Sequence, residues 1–446
     1  MNWEKTLISL PEQSPILGLA IAAYDVAIGI KVIYNWKVEG GDPITDIEDM
    51  FKIPLLNMRF QVNANFRDFP TSIINTSISK TVMVTSSFSV SNKSSDTLYS
   101  FALFIQSDKI INNPSINSIL TNRVKEIAYY ARFYITSGMI KQMSNLTPKI
   151  IDYSTELTYL LKGGISQLQP INITNMFQTT NNVSPTKRDR DSFVNDLDFL
   201  AFALSSHIET QMTTVIEIPS TNTPDFHPLF NFLAHFLLPF QRGLSSDTPH
   251  DRPISGFFLQ VVRPQSSRGL PFDDLMKFNR PWTYIILSER KIIKPQNIDS
   301  HNISYNEYRN NITLNPKITS KEAEVILAKI RKGYRIAPPV RTRPLLGFVQ
   351  YLEKLPIQMR TIACQQQLGG MINKAVALME AVNQLLNETG ALFVSPKPAK
   401  EICEKIGIGS DETRMIVSIA QLFDQRMYRR MYSEREDVLM QMVVTI

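Results

Sequence analysis

Cysteine is almost absent from this sequence. Only Cys364 and Cys403 occur among 446 residues, far apart and in helix-like surroundings. Two isolated thiols form neither a disulfide framework nor a zinc site by themselves, which excludes the small disulfide-stabilised classes and favours a reducing compartment. The five histidines include no i, i+4 pair and no His-Glu-x-x-His motif, so the sequence predicts no metal site.

A long apolar run is also missing. The most apolar segment, PILGLAIAAYDVAIGIKVIY (15–34), is interrupted by Asp25 and Lys31. A membrane span needs roughly 18 to 20 consecutive apolar residues. The segment therefore predicts a buried helix or a pair of strands, and we expect no membrane among the partners.

Motifs that mark catalytic or nucleotide-binding sites are missing as well. The stretches GGISQLQ (163–169) and GIGSDE (407–412) lack the Lys-Ser/Thr ending of a phosphate loop or its third glycine, and no Gly-x-Ser-x-Gly elbow occurs. The paired carboxylates Asp273 and Asp274 suit a short helix terminus as well as acid–base chemistry. The sequence predicts no catalytic, metal-binding or cofactor-binding residues, and a protein that is not an enzyme.

What the chain does have is clear β-type patterning in its first part. The stretch RFQVNANF (59–66) alternates with a period of two, which is typical of a strand. TVMVTSSFSV (81–90) and LYSFALFIQ (98–106) flank a turn-like SNKSSD. These two segments predict an antiparallel hairpin whose Ser/Thr-rich side faces solvent.

The middle of the chain is more apolar. Residues 118–162 favour helix, and two apolar blocks, 197–218 and 227–240, are typical of buried helices. Strand patterns return in ISGFFLQVVR (254–263) and WTYIILS (282–288).

Helical patterns then continue to the C-terminus. TSKEAEVILAKIRKG (319–333) opens with Thr319 and Glu322 in capping-box spacing. A later helix has apolar residues in a 4-3-4-3-4 spacing that is typical of lengthwise helix packing: Leu368, Ile372, Ala375, Met379, Val382 and Leu386. A last helix is predicted to begin near Ser410.

The predicted fold class is α+β, with antiparallel β regions combined with a helix-rich C-terminal third, in two to three domains. We place a mixed region with the β block at 1–165 and a linker or arm at 166–192. An apolar helical and β core region follows at 193–295, and a helix-rich region at 296–446.

The most charged stretch is KIRKGYRIAPPVRTRPLL (329–346), and no acidic residue lies between Glu324 and Glu353. Its first three cations fall in the last turn of the predicted helix, where the helix dipole favours them. Prolines then hold the chain extended in a basic strap at 335–344. Because arginine forks grip carboxylates and phosphates, this strap is a candidate contact, carried by three residues: Arg335, Arg341 and Arg343.

A second basic patch is DQRMYRRMYSER (424–435), where Arg426 and Arg429 alternate with tyrosines. Cations interleaved with aromatic rings suit phosphate binding and base stacking. Arginines at helix ends also pair with acids across protein contacts, and both alternatives stay open here.

In length, cysteine poverty and Ile/Asn/Ser/Thr-rich stretches such as TSIINTSISKTVMVTSSFSV (71–90), the chain resembles RNA-virus capsid proteins. In particular it resembles the clamp or protrusion proteins on the inner shell of turreted, reovirus-like double-stranded RNA viruses. The resemblance implies a structural capsid protein of the virion and host cytoplasm. Its partners would be other shell proteins or further copies of itself, and it would stabilise the particle through protein–protein contacts.

Two alternatives remain at this point. One is an RNA-binding viral nucleoprotein that uses the basic patches 329–343 and 426–430, with RNA as a less favoured partner. The other is an enzyme whose dispersed site is not visible in the sequence.

Overall fold

The computed structural model describes 4–25, 29–41, 44, 46–59, 69–76, 81–91, 96–111, 114–165, 167–171, 196–219, 226–264, 270–339 and 342–432. The chain forms two compact units. Unit 1 consists of Met1–Gly164 and Arg309–Ile326, and unit 2 consists of Ile165–Tyr308 and Leu327–Ile446. The predicted strand 59–66 lies almost wholly outside the described residues, as does most of the predicted linker 166–192.

Unit 1 is built on a six-stranded sheet with helices on both faces. The strand order is β1-β3-β2-β6-β5-β4, and every neighbouring pair is antiparallel except β1 and β3. Its elements are β1 (Glu4–Ile8), β2 (Ile16–Asp25), β3 (Gly29–Val38), α1 (Ile47–Met50), α2 (Lys52–Arg59), β4 (Thr71–Thr76), β5 (Thr81–Ser91), β6 (Asp96–Gln106), α3 (Ser107–Ile111), α4 (Asn117–Thr136) and α5 (Thr147–Lys162).

The apolar segment 15–34 forms the strand pair β2 and β3, one of the two structures that its pattern predicts. Leu19 and Ala20 on β2 are both fully buried although they point to opposite sides of the sheet. Ala20 packs in a cluster with Phe51 and Leu55, the region of α1 and α2, while Leu19 lines a cavity beside α4 and α5. A strand that is buried on both faces reads as a continuous apolar run.

The predicted hairpin is confirmed as β5 and β6, but the prediction that its Ser/Thr-rich side faces solvent was wrong. Thr85, Ser87 and Ser100 are at most 4% exposed. Their hydroxyls are satisfied across the strands: Ser87 donates to Ser100 at 3.0 Å, and Thr85 lies 2.7 Å from the Ser72 hydroxyl. Paired hydroxyls can enter a core because their hydrogen bonds are retained.

Unit 1 also contains a charged network between α4 and α5. Arg123 donates from Nε and Nη2 to the two carboxylate oxygens of Glu156, at 3.0 and 2.9 Å. Lys149 pairs with Glu126 at 2.5 Å, and the Arg123 guanidinium lies 5.0 Å from the ring centre of Tyr153. Each of these partly buried cations therefore has a carboxylate of its own.

Unit 2 is built on a second six-stranded sheet, in the order β12-β11-β10-β7-β9-β8, with parallel pairing from β10 through β8. Its elements are α6 (Asp196–Glu209), β7 (Thr214–Glu217), α7 (His227–Ala234), α8 (Pro239–Gly243), β8 (Ser246–His250), β9 (Leu259–Val262), α9 (Phe272–Leu275), β10 (Thr283–Ile286), β11 (Lys291–Pro295), α10 (Ile298–Tyr308), the second half of α11 (Ser320–Gly333), whose residues up to Ile326 belong to unit 1, β12 (Ile336–Ala337), α12 (Arg343–Lys354), α13 (Ile357–Thr389), α14 (Pro396–Ile406) and α15 (Thr413–Phe423).

The apolar character of block 197–218 predicted a single buried helix, and this prediction was wrong. The helix ends at Glu209, and Thr214–Glu217 is the strand β7. Gln211 and Met212 both adopt left-handed backbone angles, with φ of 56° and 61°. This turn stops the helix, and the β-branched residues that follow favour strand.

The helices of the C-terminal part follow the sequence more closely. The capping box of α11 is confirmed, because the Thr319 hydroxyl accepts from the Glu322 amide at 3.3 Å and Glu322 accepts from the Thr319 amide at 2.9 Å. The predicted seam of α13 is shifted at alternate positions. Met371 and Leu378 are buried instead of Ile372 and Met379, where α13 packs on α14 and α15.

The predicted fold class is therefore confirmed: antiparallel β regions are combined with a helix-rich C-terminal part. The parallel pairs of both sheets have no separate signal in the sequence. Within the described ranges, no helix combines the length and apolar character needed to cross a membrane.

Candidate protein-binding groove

A groove in unit 2 lies between α9 and the end of α11. It encloses about 810 Å³, including its open mouth. The lining residues come from two stretches that are distant in sequence: Leu270, Pro271, Phe272, Asp273 and Asp274 from the first, and Arg331, Tyr334 and Ile336 from the second. The groove joins the basic segment and the paired carboxylates that stood out in the sequence.

The floor of the groove is aromatic. Phe272 meets Tyr334 edge-on, with ring centres 5.2 Å apart, and Trp282 stacks behind Tyr334 at 5.7 Å with nearly parallel planes. Phe272 and Tyr334 are less than 10% exposed. This stack fixes the floor, because each large ring is held by the next.

A buried histidine fixes the position of Tyr334. His301 Nε2 donates to the Phe278 carbonyl at 3.0 Å, and its Nδ1 accepts from the Tyr334 hydroxyl at 2.8 Å. Burial lowers the pKa of His301 to about 4 and raises the pKa of Tyr334 well above its usual value. Both groups are therefore neutral near pH 7, which suits a structural support better than a proton-transfer site.

The rim of the groove carries opposite charges. Arg331 lies 2.6 Å from Asp273, and both side chains are more than half exposed. Asp274 pairs with Lys277 at 2.7 Å, and Lys329 pairs with Glu307 at 3.3 Å. The helix dipole already favours Lys329 and Arg331 in the last turn of α11. The fold also gives each of them an acidic neighbour. Neither Asp273 nor Asp274 is the N-cap of α9, because Pro271 holds that position.

An exposed apolar side chain completes the groove. Ile336 is 52% exposed on β12, an edge strand of the sheet. A groove with an aromatic floor, a charged rim and an exposed isoleucine can receive an apolar side chain and orient it by ion pairs. This is the chemistry of protein recognition.

Of the predicted strap arginines, Arg335 and Arg343 lie in the described part of the chain, where they occupy separate segments. Arg335 is exposed between α11 and β12, where its carbonyl accepts from the Gln296 amide at 2.9 Å. Arg343 is the first residue of α12, and its amide donates to Asp411 at 3.0 Å. Arg341 lies outside the described residues. Their role as partner contacts stays a prediction.

The second predicted patch follows α15. Arg426 is exposed and pairs with Asp424 at 3.3 Å, and Arg429 is exposed in the helical stretch 427–432. Asp424 also pairs with Arg430 at 2.7 Å. Part of the positive charge of this patch is therefore neutralised within the fold, and partner contacts by Arg426 and Arg429 stay predictions.

A second group of polar residues in unit 2 is buried. Lys294 on β11 forms an ion pair with Glu209 at the end of α6, and the two side chains are 3% and 7% exposed. Ser418 donates to the Glu209 carbonyl at 3.0 Å. In the ranges that the structure describes, no group of three or more His, Cys, Asp and Glu residues is arranged to hold a metal ion.

Residues 49–301 match the C9orf72-like protein family. This match spans more than half of the 446 residues. The chain belongs to the C9orf72-like family. Members of this family are DENN-like eukaryotic proteins. The chain matches no curated protein.

Membership of the C9orf72-like family corrects the functional predictions made from the sequence. The resemblance to capsid clamp proteins was wrong, and so were the structural role in a viral shell and its nucleoprotein alternative. The predicted shell-protein partners and the predicted virion location were wrong as well, because the family is a cellular, eukaryotic one. The resemblance rested on composition, which many unrelated chains share, and on no motif.

The groove itself was missed by sequence reasoning. Asp273, Asp274 and Arg331 were each noticed, but nothing in a single sequence joins them across the intervening residues. The aromatic floor had a weak signal in Phe272 and Tyr334, which flank these charges in their own segments. Only the fold shows that the two segments face each other.

Proposed function

We propose that the chain is a DENN-like regulator that binds a small GTPase and promotes its nucleotide exchange. The observation that carries this proposal is the family match, since membership of the C9orf72-like family suggests a DENN-like regulator of the exchange-factor type. Such a protein acts by binding and performs no covalent chemistry of its own. The prediction that the chain is not an enzyme in that sense is part of this proposal.

The groove of unit 2 supports a binding function. Its floor is fixed by stacked rings, so little order has to be gained when a partner arrives. Its rim presents Asp273 and Arg331, which are exposed enough to exchange their mutual contact for contacts with a partner. Ile336 adds exposed apolar surface at the edge of the sheet.

Exchange activity has a thermodynamic requirement. A protein that weakens the affinity of a GTPase for its nucleotide must bind the nucleotide-free GTPase more tightly than the loaded form, since binding free energies are reciprocal. The test uses the full chain and a panel of small GTPases loaded with a fluorescent GDP analogue. We expect faster release from at least one GTPase, together with preferential binding to its nucleotide-free form.

The groove is tested by charge reversal. Arg331→Glu is expected to slow the stimulated release by about tenfold, the effect of losing roughly 1.4 kcal/mol of binding. Lys321→Glu, an exposed substitution on the same helix, serves as the matched control. No stimulation with any GTPase, and no preference for the nucleotide-free form, would refute the proposed function. Equal stimulation by both variants would exclude the groove as the binding site and leave the proposed exchange activity standing.

A further inference from the structure

Arg280 is a half-buried cation without an acidic neighbour in the described part of the chain. It stands just before β10, and its guanidinium lies over the ring of Phe258 at 3.6 Å from the centroid. Its Nη2 donates to the carbonyls of Gly256 and Phe257 over long distances of 3.3 and 3.5 Å. Its Nε is buried and has no hydrogen-bond partner.

Arg360 shows how the same chain satisfies a buried arginine without a carboxylate. Its three guanidinium nitrogens donate to three backbone carbonyls at 3.0 to 3.1 Å. Every nitrogen of that group is therefore used. Arg280 has fewer and longer bonds, both from Nη2, and its buried Nε has none, so the described residues position this group without satisfying it.

The unsatisfied state of Arg280 is physically unfavourable. Burial lowers its pKa to about 10, which means that the surroundings work against the charge. The ring of Phe258 offsets this by roughly 0.5 to 2 kcal/mol, and a carboxylate would offset more. A charge kept under such conditions is suited to a carboxylate that the described residues do not supply.

The neighbouring surface is apolar and basic. Phe240 on α8 packs edge-on against Phe258, with ring centres 5.7 Å apart, yet 45% of its surface is exposed. Arg242, two residues further along α8, also has a buried Nε without a hydrogen-bond partner, and burial lowers its pKa. Arginines beside an exposed aromatic ring are the residues that dominate binding energy in protein interfaces.

We propose that Phe240, Arg242 and Arg280 form a docking surface for a segment of a partner protein in which an Asp or Glu stands beside an apolar residue. The carboxylate pairs with Arg280, and the apolar side chain covers Phe240. A phosphate group fits less well, because the carbonyls of Gly256 and Phe257 beside the guanidinium disfavour a dianion. This surface is separate from the groove, and the inference does not depend on exchange activity.

The first experiment selects dodecapeptides from a random phage library on the full chain. We expect selected peptides to contain an acidic residue next to an apolar one. Arg280→Met should weaken their binding by at least about tenfold, and so should a Glu→Gln or Asp→Asn change within the peptide. Arg414→Met, which removes an exposed arginine elsewhere in unit 2, should leave binding unchanged.

Three outcomes would overturn the proposal. The first is that no peptide is enriched, and the second is that enriched peptides bind Arg280→Met as well as the unchanged protein. The third is that a phosphoserine in place of the acidic residue strengthens binding that Arg280→Met then abolishes, which would assign the surface to phosphate.

A second measurement separates recognition from folding. If Arg280 serves a partner, Arg280→Met should keep the melting temperature within about 2 °C or raise it, because an unsatisfied charge is replaced by an apolar side chain of similar length. Arg360→Met, which removes three satisfied hydrogen bonds, should lower it by several degrees. Equal losses in the two variants would mean that Arg280 is a structural residue.

Discussion

Arg123 in unit 1 and Arg280 in unit 2 are two arginines in similar settings whose pKa values shift in opposite directions. Each guanidinium lies over an aromatic ring, Tyr153 in the first case and Phe258 in the second. Arg123 holds both oxygens of Glu156. Although burial works against the charge of Arg123, Glu156, Tyr153 and Glu126 together more than offset this and keep its pKa well above the usual value. Burial alone governs Arg280 and lowers its pKa.

The difference separates a structural charge from a charge that is available for binding. A buried charge stabilises a fold only when the attraction to its partner offsets the loss of hydration. Removal of that partner leaves a buried, unpaired charge, which is strongly unfavourable. Arg123 meets this condition within unit 1. Arg280 does not meet it among the described residues of unit 2, where the Phe258 ring and two long hydrogen bonds to carbonyls are its contacts.

The comparison can be tested by creating another buried cation without a carboxylate in unit 2. Glu209→Ala leaves Lys294 buried without its carboxylate, which should lower the free energy of unfolding by about 3 to 5 kcal/mol. The double variant Glu209→Leu, Lys294→Met should recover most of this loss. Urea denaturation measures both, with Lys291→Met, an exposed position on the same strand, as the control. A single variant as stable as the control would show that burial of Lys294 carries no electrostatic cost.

Acid should act on unit 2 and spare unit 1, because all five histidines lie in unit 2. Burial lowers the pKa of His301 to about 4 and that of His207 to about 3, against about 6.5 in an unfolded chain. Below the unfolded pKa, the histidines are protonated in the unfolded state and stay neutral in the folded state. The free energy of unfolding therefore falls with falling pH, by about 1.4 kcal/mol per unit for each histidine, until the folded pKa is reached.

Urea denaturation at about pH 7 and about pH 4.5 measures this loss, which should be on the order of 3 kcal/mol for His301 alone. Pulsed hydrogen exchange identifies the unit that unfolds. His301→Gln should reduce the acid sensitivity, and His227→Gln, at an exposed position, should not. The same acid sensitivity in His301→Gln and the unchanged protein would rule His301 out as the cause.

The paired arginine of unit 1 should behave as a structural residue. Glu156→Gln removes the charge that holds Arg123, and since both side chains remain partly exposed, the expected loss is about 2 kcal/mol. The measurement is urea denaturation of the variant beside Asp49→Asn, which removes a carboxylate from a well exposed pair. If both variants lose equally little, Arg123 and Arg280 do not differ in the way proposed.

Local patterns predicted much of the fold and little of the site. The hairpin β5–β6, the capped α11 and the strands β9 and β10 follow from periodicity and capping, which act over a few residues. The buried hydroxyls of Thr85 and Ser87 were misjudged, because their partners come from other strands. Arg280 drew no attention in the sequence, since an absent carboxylate is visible only in three dimensions. Family membership overturned the functional prediction, which had rested on composition.

The smallest effect is expected for Arg331 and Asp273, the exposed pair at the rim of the groove. Exposed ion pairs contribute about 0.2 to 1 kcal/mol, because water screens them and both side chains lose freedom. A double-mutant cycle with Arg331→Met and Asp273→Asn should therefore give a coupling energy below about 1 kcal/mol that shrinks further in high salt.

This cycle completes the comparison with an arginine that is paired but exposed. A coupling as large as that between Arg123 and Glu156 would mean that geometry outweighs burial in this protein. The weak coupling expected here would mean that Arg331 can leave Asp273 for a partner at little cost. Arg331 would then resemble Arg280 in being available to bind a partner protein. It would differ from Arg280 because it pairs with Asp273 when no partner is bound.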